Sequence, residues 1–395
     1  MTSSRPMAGA RLLEVQEPII PLVQAWVREH PGTISLGQGV VSYGPPGQAL
    51  ETLKTFGLDP SDHLYGPVGG NPLLIERLKE KVLRENGIHM GDSRRIMVTA
   101  GSNMAFFEII QAITAPGDEV LLPLPFYFNQ EMAIRMLGCV PVPVPTRPNY
   151  QLDLVALAQA VTPRTRAIVT VSPNNPTGQV YPESDLRRVS DLCRKRGLYH
   201  LSDEAYEYFA WEDHRHFSPG SIPESDPYTV SFFSLSKTFG FAGWRIGYMV
   251  IPETLAPILN KIQDTNLICA PRPSQAAALA CLEVGRSYFE GHAETLIGLR
   301  KEVLMRLEAL GSLIEQPPEA SGAFYVFLKI RTGLSGLGVA ERLAREFGVA
   351  VIPGEAFGMR DGCYLRVAYG APDSASVIEG VTRLVTGIRA ICEGP

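Results

Sequence analysis

The chain has 395 residues, of which 45% are hydrophobic and 19% charged, a balance that suits a large packed core and excludes a disordered polymer. Its formal net charge of -5 leaves no basic footprint, so neither nucleic acid nor an anionic membrane surface is expected as a partner, and a small molecule is. No run of about 18 apolar residues occurs, and MTSSRPMAGARLLEVQEP lacks an apolar core of signal-peptide length, so the expectation is a cytoplasmic protein without membrane spans.

In chain order, EPIIPLVQAWV opens the chain with a segment expected to pack on a second domain. RIMVTA (95–100) then reads as a strand and NMAFFEIIQAI as a helix, followed by EVLLPL (119–124) and the helical NQEMAIRML. After CVPVPV and the helical LDLVALAQAV come RAIVTVS (166–172), the helix ESDLRRVSDLCRKRG, and the strands LYHLS (198–202), TVSFFSL (229–235) and RIGYMVI (245–251). This alternation predicts an α/β fold with a mostly parallel central sheet and helices on both faces. Ligands of such sheets collect beyond the carboxyl ends of the strands.

From about residue 285 the texture changes. A long helical stretch, SYFEGHAETLIGLRKEVLMRLEAL, precedes GAFYVFLKI, the helix GVAERLAREFG, the strands VAVIPG and YLRVAY, and a last helix over 374–391. These predict a smaller α+β domain. The expected division is a large domain at 46–284 and a small domain built from 1–45 and 285–395. The six cysteines form no C-x-x-C pair and read as buried thiols, while WEDHRHF (211–217) reads as a polar turn after a strand.

Polar residues and glycines cluster at the ends of these strands. In TAGSNMAFF, Gly101 makes a turn and Ser102 opens a helix whose N-terminus suits a phosphate, although simple capping explains Ser102 equally well. In PLPFYFN, Tyr127 is placed to stack on a flat ring, or else to pack in the core. SPNNPTG offers the Asn175 amide, which a plain turn would also account for. LSDEAYEY sets Asp203 directly after a strand, as partner for a protonated ring nitrogen or as a helix cap, with Tyr206 a turn beyond. SLSKTFGFAGWRIG (234–247) brings Ser234, Ser236, Lys237 and Arg245. Lys237 lies among serines, aromatics and glycines, and desolvation there would lower its pKa toward the nucleophilic range; an exposed loop lysine is the alternative. As a set, these residues supply an amine nucleophile, a carboxylate, an amide, a phenol, a stacking aromatic and phosphate ligands. Pyridoxal phosphate requires that set.

With SLGQGV, YGPVGG, TAGSNMA, SPNNPTG, SDEAYE, SLSKTFGFAGWRIGY and YLRVAYG in order along the chain, the sequence resembles the fold-type I pyridoxal-phosphate enzymes. Within them it resembles the class I/II aminotransferases, and SLGQG resembles the kynurenine, glutamine and methionine branch. The resemblance implies Lys237 as Schiff-base lysine and proton shuttle, and Asp203 as partner of the pyridinium nitrogen. It implies Asn175 and Tyr206 on the ring's 3-oxygen and Tyr127 stacked on the ring. Gly101, Ser102, Asn103, Ser234, Ser236 and Arg245 would surround the cofactor, with Tyr65 reaching it from the other subunit of a homodimer with shared active sites. Arg366 would grip the substrate α-carboxylate, with Gly39 lining the same place. The implied reaction moves an amino group from an L-amino acid, aromatic or aliphatic such as methionine, to a 2-oxo acid such as 2-oxoglutarate.

Two departures from the family pattern stand out. VVSY (40–43) occupies a place where the family often has a Phe-Pro-Asp-Phe run, and Asn103 stands where one branch of aspartate aminotransferases has a lysine. EPII (17–20) is a candidate lining for an apolar substrate pocket, with core packing as its alternative. The rival readings are a C–S β-lyase or related eliminase, an aspartate aminotransferase, and, ranked last, a non-catalytic sensor on the same fold, which would need a fused DNA-binding domain for which the short N-terminal segment leaves no room.

Overall fold

The computed structural model describes residues 9–317, 319–371 and 373–393. Its strands are β1 (Ile34–Ser35), β2 (Arg94–Thr99), β3 (Glu119–Pro123), β4 (Val140–Val144), β5 (Thr165–Val171), β6 (Tyr199–Asp203), β7 (Thr229–Ser234), β8 (Gly247–Pro252), β9 (Tyr325–Ile330), β10 (Val349–Ala350), β11 (Ile352–Pro353) and β12 (Cys363–Ala368). A seven-stranded sheet runs β2-β8-β7-β6-β5-β3-β4. Only β8 runs against its neighbours; the remaining pairings are parallel, as the strand-helix alternation predicts.

Both faces of this sheet are covered, which is why β3, β7 and β8 are buried at every position and read as mainly apolar runs. Strand alternation sorts their side chains. Val120, Leu122 and Val169 face one side and pack with Phe106, Ile109 and Ile110 of the helix Ser102–Ile113. Leu121 and Ile168 face the other side and meet Leu186 and Val189 of the helix Glu183–Arg196. Val98, Phe233 and Val250 likewise meet Leu74 and Leu78 of the helix Pro72–Asn86.

A second, antiparallel sheet has the order β11-β12-β9, and β1 pairs with β10 in parallel. The stretch VAVIPG, expected as one strand, is two. Val349–Ala350 pairs with the N-terminal segment, and Ile352–Pro353 pairs with β12 at the sheet edge, where Pro353 brings no N–H with which to extend the ladder. Leu328, Val326, Leu365 and Val367 of this sheet share a core with Leu299 and Val303 of the helix Ser287–Glu308 and with Val381 and Leu384 of the helix Ser374–Glu393. Val23 and Trp26 of the helix Ile19–Glu29 join the same core, so both ends of the chain meet there. Cys139, Cys193, Cys281 and Cys363 are buried thiols, and no helix among the described residues is long and apolar enough to cross a membrane.

Candidate active site

Register places the chemistry along one edge of the large sheet. Gly247 pairs with both Thr99 and Ser234, and Asp203 pairs with Val171 and Phe232. The carboxyl ends of β2, β5, β6 and β7 therefore lie side by side with the start of reversed β8. Beyond this edge is a cavity of about 380 Å³, within the range of small-molecule sites. Gly39, Ser102, Asn103, Tyr127, Asn175, Asp203, Tyr206, Ser234, Ser236, Lys237, Arg245 and Arg366 all border it. Gly101 forms the turn before Ser102, and Tyr65 stands apart at 80% exposure.

Lys237 belongs to a short helix, Leu235–Thr238, capped by Ser234, whose hydroxyl oxygen accepts the Ser236 N–H at 3.1 Å. Its ammonium donates to the Gly39 carbonyl, and its own main-chain carbonyl accepts the Tyr43 hydroxyl at 3.0 Å. The VVSY departure thus contributes Tyr43 to the lysine's support and Val40 to the cavity wall. Burial, helped by the positive charges of Arg366 and Arg245 and opposed by Asp203, lowers the Lys237 pKa to about 8. The exposed-loop alternative for this lysine falls.

Asp203 caps no helix: it ends β6, and the residues after it form turns. Its Oδ1 accepts the Ala205 N–H at 3.2 Å and its Oδ2 accepts Nε2 of Gln130 at 2.8 Å. Burial raises its pKa to about 6, against these hydrogen bonds and Lys237. The hydroxyls of Tyr206 and Tyr325 share a hydrogen bond of 2.5 Å, and burial raises both phenols, Tyr325 to about 12. Tyr127 accepts from Nδ2 of Asn129 at 2.8 Å, and burial raises its phenol too.

Arg366 projects from β12 and is 2% exposed. It donates to Oδ1 of Asn175 at 2.8 Å and to the Gly37 carbonyl at 2.6 Å, and its guanidinium lies 4.7 Å from the Tyr325 ring and 5.1 Å from that of Phe357. Aromatic faces on this planar cation hold it without neutralising it. Its Nε has no partner among the described residues, a buried donor suited to an incoming carboxylate.

At the other end of the cavity, Gly101 has φ +85° and occupies the position before the Ser102–Ile113 helix, which has no side-chain cap. Ser102 is the first helical residue, so the capping alternative for it falls as well. A Cβ on Gly101 would run into the Arg245 guanidinium, and one on Gly247 would lie 2.7 Å from the Ser102 nitrogen. Both glycines keep open a cradle of helix N–H groups facing a cation. Arg245 itself is left-handed at φ +56° and donates to the Ala242 carbonyl at 2.9 Å.

Sequence reasoning missed Gln130, Tyr325, Gln38 and Asn129. Pro18, Ile19 and Ile20 of EPII do line the cavity, and among the described residues its lining cations are Lys237, Arg245 and Arg366. A buried amine of lowered proton affinity, a carboxylate and an anion cradle fit pyridoxal phosphate, the cradle matching its phosphate and the carboxylate its ring nitrogen.

Comparison with known proteins agrees. The family model for aminotransferase class I and II matches residues 31–384. An aromatic aminotransferase of Arabidopsis thaliana is 34% identical over 394 residues, covering 98% of this chain and 97% of the relative. A probable aspartate/prephenate aminotransferase of Aquifex aeolicus (strain VF5) is 36% identical over 338 residues, 83% of this chain and 84% of the relative. Among solved structures, aspartate aminotransferase from Thermus thermophilus with maleate superposes with a TM-score of 0.89 at 30% identity, covering 97% of this chain and 100% of that one. From the order of its strands to the residues gathered at their ends, the chain belongs to the class I and II aminotransferases and is a pyridoxal-phosphate-dependent transferase.

Proposed function

We propose that the enzyme transfers the α-amino group of an L-amino acid with an aromatic or aliphatic side chain to a 2-oxo acid, with Lys237 as the cofactor's covalent anchor and proton carrier. The observation that carries this reading is the facing of Lys237, Asp203 and Arg366 across one cavity. Bound there, pyridoxal phosphate supplies an electron sink for the bonds at the substrate's Cα.

The chain's residues divide the remaining work. Asp203, as a carboxylate, would keep the ring nitrogen protonated, and Tyr127 would lie against the ring. Asn175 and Tyr206 would hold its 3-oxygen. Gly101, Ser102, Asn103, Ser234, Ser236 and Arg245 would hold the phosphate end. Arg366 would receive the α-carboxylate through its planar guanidinium and so orient the substrate's Cα relative to Lys237. As a free amine, Lys237 would accept the proton leaving Cα and, as its conjugate acid, give it back. Its depressed pKa places both protonation states within reach near neutrality.

The side-chain preference rests on Ile19, Ile20 and Val40 in the lining, whose cations among the described residues, Lys237, Arg245 and Arg366, already have the cofactor and the α-carboxylate to serve. Relatives named for aspartate make that donor the competing outcome. We further infer a homodimer whose Tyr65 serves the opposite site, a large domain at 46–284 with a small domain from 1–45 and 285–395, and a reducing, cytoplasmic location that suits the buried thiols.

The test is the visible absorption of the purified holoenzyme during addition of single amino acids, then 2-oxoglutarate. Bleaching by phenylalanine, tyrosine or methionine, with recovery on the oxo acid, is expected. Bleaching by aspartate alone overturns the side-chain preference, and pyruvate with ammonia released in the absence of an acceptor would establish a lyase.

A further inference from the structure

Both oxygens of Asp203 are held, by unlike means. Oδ1 accepts the Ala205 main-chain N–H, a local contact that nearly any residue at that place supplies. Oδ2 accepts Nε2 of Gln130 at 2.8 Å, from an element distant in the chain. Gln130 sits on the helix Phe128–Met136, three positions after Tyr127, is 3% exposed, and does not border the cavity. It therefore reaches the carboxylate from outside the cavity lining.

The amide's orientation follows from its surroundings. Its Oε1 has no hydrogen-bond partner among the described residues. Turning the amide over would set that oxygen against a carboxylate, acceptor against acceptor, so Nε2 faces Asp203. A buried acceptor without a partner costs stability, and a methionine or leucine here would fill the volume without that cost. The site retains an amide whose one satisfied end points at the carboxylate.

We propose that Gln130 is a positioning residue that holds Asp203 as an oriented carboxylate toward the cofactor's pyridine nitrogen. The inference rests on the role given to Asp203 above. A hydrogen bond to an ionised acceptor in a dry interior is stronger than a neutral one, and an amide offers it at every pH, having no proton to exchange. Apart from the Ala205 main-chain N–H, the other groups acting on Asp203 are charged: Glu204 opposes its ionised form, and Lys237 favours it. Gln130 is the neutral side chain between them.

The experiment compares holoenzyme with Gln130→Met, Gln130→Leu and Asp203→Asn, reading cofactor release on dilution, the pH midpoint of the visible absorption band, and steady-state kinetics. Both Gln130 variants keep the volume and lose the donor, so failure of one to fold leaves the other. Expected for them are release about 10-fold faster, a band midpoint displaced by about one pH unit, and kcat lowered about 10-fold with donor KM within about twofold. Release and band unchanged within about twofold, with thermal melting alone affected, would mean that Gln130 only packs, and the inference falls. If Asp203→Asn itself leaves release and band unchanged, the role of Asp203 fails first, a result separable from the Gln130 outcome.

Discussion

The hydroxyls of Tyr206 and Tyr325 meet at 2.5 Å, joining the large sheet's edge to the first residue of β9. Tyr325 also underlies Arg366 with its ring, so one side chain serves two site residues by different atoms. Tyr325→Phe separates these roles. It is expected to lower kcat about 3- to 10-fold through Tyr206 while leaving donor KM within about twofold, because the ring beneath Arg366 stays. A loss confined to KM in steady-state assays would refute this division.

The Lys237 amine has its pKa lowered from 10.5 to about 8 by burial and neighbouring arginines. An amine attacks an aldehyde only when unprotonated, so capture of pyridoxal phosphate by the apoprotein is expected to accelerate about 10-fold per pH unit below 8 and to level off above it. Stopped-flow absorbance across pH 6 to 10 reads this directly. A rate still climbing through pH 9.5 would mean that the amine is not depressed.

Asp203 makes the opposite bargain with stability. Its pKa rises from 3.8 to about 6 in the fold, so the folded apoprotein binds this proton more tightly than the unfolded chain does. The associated stability is fully present below about pH 4 and is lost as pH rises through about 6, a difference of roughly 3 kcal/mol at about 1.4 kcal/mol per pH unit. Asp203→Asn should therefore stabilise the apoprotein by about 2–3 kcal/mol at pH 7 and by little at pH 4, while impairing catalysis. Urea unfolding at both pH values checks it; equal effects at the two would refute the linkage.

Tyr65 stands 80% exposed on a loop whose carbonyls at Ser61 and Leu64 accept from Arg272, the latter at 2.7 Å. A loop so held while presenting a large aromatic to solvent suits delivery to a second copy. Lys237→Ala and Tyr65→Ala should each be impaired alone, and equal mixing after subunit exchange should restore about one quarter of wild-type activity. That fraction follows because half of the dimers are mixed and each carries one intact site. No recovery in a verified mixed dimer would remove Tyr65 from the shared site.

What the sequence made legible follows from sheet geometry. Parallel strands buried on both faces read as apolar runs, and their polar terminal residues, Asp203 and Ser234 among them, stand out against that background. Gln130 lies within a helical pattern, where nothing local distinguishes it from an ordinary polar face; its partner is 73 residues away. Tyr325 lies in an aromatic strand of the other sheet, where it reads as core. Ser102 and Asp203 were ambiguous because hydroxyls and carboxylates suit caps as well as ligands, and only the positions of the helix ends decide between them. The division of VAVIPG into two strands depended on which neighbours were available, a fact of tertiary pairing.

The reversal of β8 has a consequence for how the site assembles. Because β7 and β8 are antiparallel, with Ser234 opposite Gly247, the connection 235–246 returns as a hairpin at the cavity edge and needs no crossover helix. Lys237 and Arg245 both lie on that return. Had β8 run parallel, its chain would have entered at the far edge of the sheet, and a residue just before it would have been a strand's length from the cofactor. As built, the amine and the guanidinium are delivered by one local ladder, so a closure of low sequence separation sets both ends of the cofactor's berth.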